Sequence, residues 1–369
     1  MMATQKDLDV QKVDTLVVGA GQAGLSVGYF LAKRAIPFMI LDANPRIGDS
    51  WRNRWDSLRL FTTARYSGLV GMPFPARGSA FPNKEQMADY LERFAQRFQL
   101  PVKMRVKVER VSKPGTEFVI ETSSGRFTAN NVVVAMGNNQ QPNLPPFASE
   151  LDRGIVQLHS LDYRNPSQLR EGRVLVVGVG NSGADIAMDV ARSHPTWIAG
   201  KESGHIPWPI DDFLGRNFYL RLIRFLGHHV LTVRTPIGRR SRPKLLGRAA
   251  PLIRVKPHDL GSNGIQRVGK VTGVRDGKPM LGDSQTLEVA NVIWCTGFTP
   301  GFSWIDLPVF DADGRPDHEC GVAKSVPGLY FVGLRYLFSM TSDAITGVGR
   351  DAERIVKAIH RRSKASHAA

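Results

Sequence analysis

The sequence predicts an α/β protein built from two copies of one strand–turn–helix–strand unit, each on its own parallel sheet. Three observations carry that reading. Residues 15–24 read TLVVGAGQAG and residues 174–183 read VLVVGVGNSG. Each copy puts a β-branched apolar run, the mark of a strand buried on both faces, ahead of GxGxxG and a helix-like segment. Each helix then leads to a second apolar run, PFMILD ending at Asp42 and TWIAGK ending at Lys201, and both strand-end residues stand 23 positions after the first glycine of their turn.

Taken in order, the elements assemble around these copies. The helices are expected over Ala23–Arg34 and Ser182–Arg192. Residues 101–121 alternate and turn at Pro114-Gly115, which predicts a small antiparallel element. NVVVAMG, residues 131–137, reads as a buried strand ending at glycine, and NVIWCTGF, residues 291–298, is its counterpart in the second copy. NQQPNLPP at 139–146 reads as a linker. GLYFVG at 328–333 is a further short strand, followed by a helix that Gly347 and Gly349 open. That terminal piece needs a sheet to join. The expected organisation is therefore one discontinuous domain, 1–145 with 290–369, and a second domain, 146–289, inserted between its parts.

Composition narrows the class. At 369 residues the chain has length for about two to three domains and a full core. With 42% hydrophobic and 22% charged residues it excludes fibrous and disordered classes. The opening MMATQKDLDVQK has no apolar core, and no later run reaches about 18 apolar residues, so a cytoplasmic protein is expected. The two cysteines, Cys295 and Cys320, form no CxxC pair for thiol chemistry or a zinc cluster, and no metal site is expected. The charge is +16, and it is concentrated. From Phe213 to His258 there is no Asp or Glu, against Arg216, Arg221, Arg224, Arg234, Arg239, Arg240, Arg242, Lys244, Arg248, Arg254 and Lys256. This basic helical insert reads as an excursion with a solvated face. A face for anionic membrane, a guard at a substrate entrance, and an attractor for an anionic nucleotide are the other readings. Nucleic acid is not expected, because no reading module accompanies the charge. His205, His228 and His229 are expected at the surface.

The glycines have separate physical roles. Gly19 and Gly178 make the tight turn, Gly21 and Gly180 let a pyrophosphate approach the backbone, and Gly24 and Gly183 let helix and strand pack closely. The phosphates would sit on free N–H groups at the helix N-terminus. Both copies are thus dinucleotide-binding, Rossmann-like units. Asp42 suits a ribose 2′-OH and repels a 2′-phosphate, whereas Lys201 attracts one. The expected cofactors are FAD at the first unit and NADPH at the second, with NADH left open.

The order of GAGQAG, an acidic strand end, GDSWRNRWDSLRLFT, AMG, GVGNSG, CTGF and FVG…GVGRDA resembles the class B flavin-dependent monooxygenases. That group includes flavin-containing monooxygenases and Baeyer–Villiger enzymes, and the likeness is to small bacterial members over nearly the whole chain. The resemblance implies a glutathione-reductase-like pair of domains, FAD in the larger and NADPH in the smaller. It also implies oxygen activated as a flavin C4a-(hydro)peroxide and passed to a small lipophilic sulfide, amine or ketone. By that resemblance Gly19, Gly21, Gln22, Ala23, Gly24 and Asp42 hold FAD, with Ser50, Trp51 and Arg52 along the cofactor and Ala135, Gly137 and Gly333 at the neighbouring strand ends. Gly178, Gly180, Asn181, Ser182, Gly183 and Lys201 match the NADPH site, and Thr296 and Gly297 match a hinge-like ATG segment. Trp51 and Trp55 read equally well as core.

Two departures stand out. The family fingerprint places glycine, three residues, histidine, three residues, then an aromatic; His159 and Tyr163 keep the second spacing, but Gly154 lies five residues before His159. Where eukaryotic-type members carry asparagine after a threonine, this chain has Thr62 and Thr63, which become the candidate catalytic residues. An uncoupled NADPH oxidase or reductase, or a redox-sensing FAD-binding module, are the alternatives. The expected partners are a small lipophilic substrate and dioxygen, with a homodimer as one open oligomeric state.

Overall fold

The computed structural model describes residues 10–201, 204–247 and 250–368. Arg248 of the basic stretch and the first nine residues of the opening segment lie outside the described residues.

Two sheets organise the chain. The first has nine strands, with a parallel centre in the order Val102–Lys103, Phe38–Leu41, Val10–Val18, Gly125–Val134 and Leu329–Phe331. Val108–Ser112 and Phe118–Thr122 form the antiparallel element expected around Pro114-Gly115, and it adds to the 125–134 strand. The second sheet is parallel throughout, in the order Gln266–Val268, Thr196–Ala199, Val174–Val177, Asn291–Trp294 and Val156–His159. Its central strand has no exposed residue, as its unbroken VLVV requires.

The helices fall at the expected places. Gln22–Lys33 and Asn181–Val190 follow the two glycine turns. The terminal helix Ile345–Ala368 packs on the first of them, burying Val348, Ala352, Ile355, Val356 and Ile359, a stripe at helical spacing. The two crossings between the sheets pair with each other: Phe298–Thr299 runs antiparallel to Gln141–Pro142. The segment read as a plain linker thus carries a two-stranded ribbon.

The basic insert keeps a solvated basic face, with Arg221, Arg239, Arg240 and Lys244 exposed, while its other side packs on the first unit. Its first helical run has an α centre, Leu220–Phe225, between two wider π turns, Gly215–Tyr219 and Leu226–Val230. The run leans on the first unit through Gly227, where a Cβ would stand 2.8 Å from Thr341. Val233 N–H donates to the Phe338 carbonyl at 2.9 Å and Arg350 donates to the His228 carbonyl at 2.9 Å. The guanidinium groups of Arg216, Arg224 and Arg234 lie over the rings of Phe81, Tyr66 and Phe338. His228 is therefore buried, not superficial as expected, whereas His205 and His229 are exposed. Helical periodicity alone did not show which face would meet the 338–350 region.

Candidate functional site

The two glycine turns match atom by atom. Gly19 N–H donates to the Leu41 carbonyl at 2.7 Å and Gly178 N–H to the Ala199 carbonyl at 2.8 Å. Both glycines have left-handed backbones, φ +106° and +119°, and a Cβ would strike the carbonyl of Ala135 in one case and Cys295 in the other. At Gly24 and Gly183 a Cβ would stand 1.8 Å from the carbonyl oxygen of the turn's first glycine, so any larger residue forces helix and strand apart. Gly21 and Gly180 instead face open space, with nothing within 4 Å of a Cβ.

Those two positions are the helix caps, and neither helix has a side-chain cap or an acidic residue in its first turn. The helix Lys84–Arg97 is different: Asn83 and Gln86 close a reciprocal capping box around its first N–H groups. Two helix N-termini therefore keep unsatisfied donors and an uncompensated positive dipole end beside open space. A pyrophosphate fits both.

The residues around the first turn converge. A Cβ on Gly333 would lie 2.8 Å from that of Ala23, and Asn138 donates to the Gly333 carbonyl at 3.3 Å. Gly137 takes a left-handed φ of +78° just beyond the 125–134 strand. Asp42 accepts from Ala20 N–H at 2.7 Å and from the amide groups of Asn44. Trp51 Nε1 reaches Gln22 at 3.4 Å, which brings the 50–51 segment to the first turn of the helix, while Trp55 belongs to the core. Ser50 is exposed beside it. Arg52 points elsewhere, donating to the Ile47 carbonyl at 2.6 Å and pairing with Asp49, Asp89 and Glu92.

At the second turn Asn181 holds the insert. Its Nδ2 donates to the Pro251 carbonyl at 3.0 Å and its Oδ1 accepts from Ile253 N–H at 2.9 Å. Ser182 follows it in the helix. Lys201 is exposed at the strand end. A narrow cleft beside this turn is lined by Val179, Gly204, His205, Leu252, Pro257, Leu260 and Arg267. Sequence reading missed His205 and Arg267 here, since neither carries a motif.

Thr296 and Gly297 sit where the crossings pair. Asn143 N–H donates to the Gly297 carbonyl at 3.0 Å, and Asn143 Nδ2 to that of Thr296 at 3.2 Å. His159 Nδ1 accepts from Leu161 N–H at 3.1 Å, so its proton is on Nε2, which donates to the Gly297 carbonyl at 3.0 Å. Burial lowers its pKa and keeps it neutral. Tyr163, the aromatic of the partial fingerprint, is fully buried and donates to Asp189 at 2.9 Å.

Thr62 and Thr63 lie in the stretch that enters the short helix Ala64–Ser67. Thr62 Oγ1 and Ser67 Oγ are 2.9 Å apart, and Thr63 is buried. Just before them, the Arg59 and Leu60 carbonyls accept from Arg254 at 3.1 and 2.7 Å. Arg254 also lies 3.6 Å from Asp211 and over the rings of Phe61 and Phe81. It borders a cavity of about 580 Å³ between Asp56–Arg59 and the helix bearing Asp185 and Asp189. Burial pushes the Asp185 carboxyl up to about 6, against the pull of Arg254. In the sequence Arg254 was one cation among eleven, and nothing in the spacing singled it out.

With this geometry in view, similarity to known proteins is specific. A pyridine nucleotide-disulphide oxidoreductase family model matches residues 16–198. An uncharacterized CzcO-like oxidoreductase of Geobacillus kaustophilus is 38% identical over 94% of this chain and 98% of its own. A solved flavin-containing monooxygenase from Stenotrophomonas maltophilia superposes with a TM-score of 0.77 at 27% identity, covering 96% of this chain and all of the other. A probable indole-3-pyruvate monooxygenase of Arabidopsis thaliana, YUCCA3, is 29% identical over 90% of this chain and 84% of its own. The chain belongs to the class B flavin-dependent monooxygenase family. As a member of that family it is an FAD-dependent oxidoreductase of the monooxygenase type, on a fold with two dinucleotide-binding units. The disulphide in the matching model's description has no counterpart in this monooxygenase, because residues 16–198 contain no cysteine. Cys295 and Cys320 lie beyond that match, and burial raises both thiols away from the reactive thiolate.

Proposed function

We propose that this monooxygenase binds FAD at the 19–24 turn and NADPH at the 178–183 turn and oxygenates a small lipophilic sulfide, amine or ketone. The observation that carries the reading is the pair of glycine-capped helix N-termini, each without a side-chain cap and open to a pyrophosphate. Bound there, FAD and NADPH would supply the two electrons, delivered as hydride, that with one proton from solvent let dioxygen give one oxygen atom to substrate and the other to water.

The chain's own residues bind and orient. Gly19, Gly21, Gln22, Ala23 and Gly24 offer backbone to the FAD pyrophosphate, and Asp42 accepts from the adenosine ribose while Ala20 N–H fixes its carboxylate. Ala135, Gly137 and Gly333 keep the adjoining strand ends free of bulky side chains, and Ser50 and Trp51 line the way to the flavin. Arg52 acts at a distance, bracing that segment on carboxylates of the 84–97 helix. Gly178, Gly180, Ser182 and Gly183 receive NADPH, Lys201 meets its 2′-phosphate, and Asn181 ties the insert across this turn. Thr296 and Gly297 form the crossing between the discontinuous 1–145 and 290–369 domain and the inserted 146–289 domain. Thr62 and Thr63 are the hydroxyls assigned to the reacting region. The protein is placed in the cytoplasm, as a monomer or a homodimer, with no nucleic-acid partner.

The test compares oxygenated product with hydrogen peroxide per NADPH consumed, using thioether, amine and ketone probes. Product matching consumption for one class supports the assignment; peroxide matching consumption with every probe overturns it. A largely uncoupled oxidase is favoured by one observation, the engagement of Thr62 with Ser67 where an amide stands in eukaryotic-type relatives. Bound flavin that anaerobic NADPH fails to bleach would instead indicate a sensing module.

A further inference from the structure

Single exposed apolar residues are ordinary, but a cluster of large ones marks an interaction surface, and here they cluster. Of the nine exposed large hydrophobic residues among those described, six lie in one stretch: Phe213, Leu214, Phe218, Phe225, Leu226 and Ile237. Phe213 is 79% exposed and Phe218 58%. The helical run 215–230 sets Phe218, Arg221 and Phe225 on one face by their spacing of three and four, and His229 continues it. The buried side of the same run, Gly227 and His228, is the one held against residues 340–350.

The charge on this surface has one sign. Residues 213–258 contain no acid. The acids just upstream are occupied, Asp212 at the N–H of Gly215 and Asp211 at Arg254. Arg221, Arg239, Arg240 and Lys244 are exposed. A two-fold dimer through this face would set its acid-free, cationic surface against the same surface of a second copy, and a nucleic acid would leave the phenylalanines in water. An anionic bilayer satisfies both sets of groups, taking phenyl rings at the acyl boundary and cations at the headgroups.

We propose that the helical run 213–230 docks the protein, peripherally and reversibly, on membranes rich in anionic phospholipid. The proposal does not depend on which substrate is oxygenated or whether oxygenation is coupled. It gives a lipophilic substrate a source, since the docking face belongs to the insert that also ties Leu60 and Asn181.

The test is co-sedimentation of the full-length, flavin-loaded protein with vesicles of phosphatidylcholine alone or mixed with phosphatidylglycerol. The wild type should bind the mixed vesicles about tenfold more strongly, and the Phe213→Ser/Phe218→Ser/Phe225→Ser variant should lose about tenfold on the same vesicles. Arg221→Gln/Arg240→Gln should bind the mixed vesicles more weakly and with a smaller dependence on salt. Flavin content and thermal unfolding equal to the wild type certify that the exposed substitutions leave the fold intact. Absence of wild-type binding, or equal binding by the triple-serine variant, overturns the proposal. So does a triple-serine variant that merely turns a dimer into a monomer in sedimentation velocity, which would assign the face to a second copy.

Discussion

Arg254 donates to the carbonyl of Leu60 across 2.7 Å, and through that bond the end of the basic insert grips the stretch leading to Thr62 and Thr63. The guanidinium's second arm holds the Arg59 carbonyl, and Phe61 and Phe81 flank it. Lysine has no planar fork and cannot reproduce both bonds. Arg254→Lys should therefore lower stability by about 1–3 kcal/mol, and Arg254→Ala by about 2–4 kcal/mol, because two carbonyls and the Asp211 carboxylate lose a partner. Urea unfolding with flavin fluorescence checks this. Equal stability for all three proteins would show that the grip is incidental.

The matching contacts at Gly24 and Gly183 separate the two nucleotide units. A methyl group at either position meets a carbonyl oxygen at 1.8 Å and costs about 1–3 kcal/mol or more by overpacking. Gly24→Ala should be purified without yellow colour. Gly183→Ala should keep its flavin yet fail to be reduced by NADPH, while dithionite still bleaches it. Absorbance before and after each reductant reads both outcomes, and loss of flavin from Gly183→Ala would contradict the assignment.

Lys201 tests the choice of nicotinamide nucleotide. A hydrogen bond to a charged group contributes about 1.5–3 kcal/mol, which corresponds to roughly 10- to 100-fold in affinity. Lys201→Ala should raise KM for NADPH by that factor and change KM for NADH by less than about twofold. Equal effects on the two nucleotides would remove Lys201 from the 2′-phosphate and leave Arg267, in the adjoining cleft, as its replacement.

Stability should depend on pH through His228, which is buried, and His318, which is half-buried. Burial, reinforced by Arg350 for His228 and by Arg242 for His318, lowers each from 6.5 to about 4. Between those values the unfolded chain binds the proton and the folded chain does not, so stability rises with pH through this window. Asp185, pushed up to about 6, opposes one histidine, since its folded form still binds the proton between 3.8 and that value while the unfolded form does not. The three groups together leave a slope of about 1.4 kcal/mol per pH unit near pH 5. His228→Gln should reduce the slope by about the same amount, whatever its effect on stability at about pH 7. Unfolding free energies from about pH 4 to 7 give the slope directly, and an unchanged slope in His228→Gln would refute the burial argument.

How much was legible in the sequence depended on whether the physics was local. GxGxxG after a β-branched run dictates strand, turn and helix within about ten residues, so both nucleotide units, the counterpart strands 131–134 and 291–294 and the terminal helix were readable in advance. Arg52 and Asn181 kept their places in those motifs, but their side chains went to Asp89 and to Ile253 N–H, partners 37 and 72 residues away. The orientation of the insert was likewise invisible. Its periodicity defines an apolar face and a basic face, yet two faces of one helix can each be apolar enough to bury.

The sequence by itself determined the two dinucleotide folds, because glycines at fixed spacing are the only residues that fit a left-handed turn against a carbonyl. Only the tertiary structure decided what the positive charge does. Ring contact set the half-buried Arg216 and Arg254 on Phe81 as a brace, laid the exposed Arg224 over Tyr66, and left Arg221 outside among phenylalanines. That division follows from which groups of the insert meet the 59–81 stretch, a long-range packing choice that no local spacing encodes.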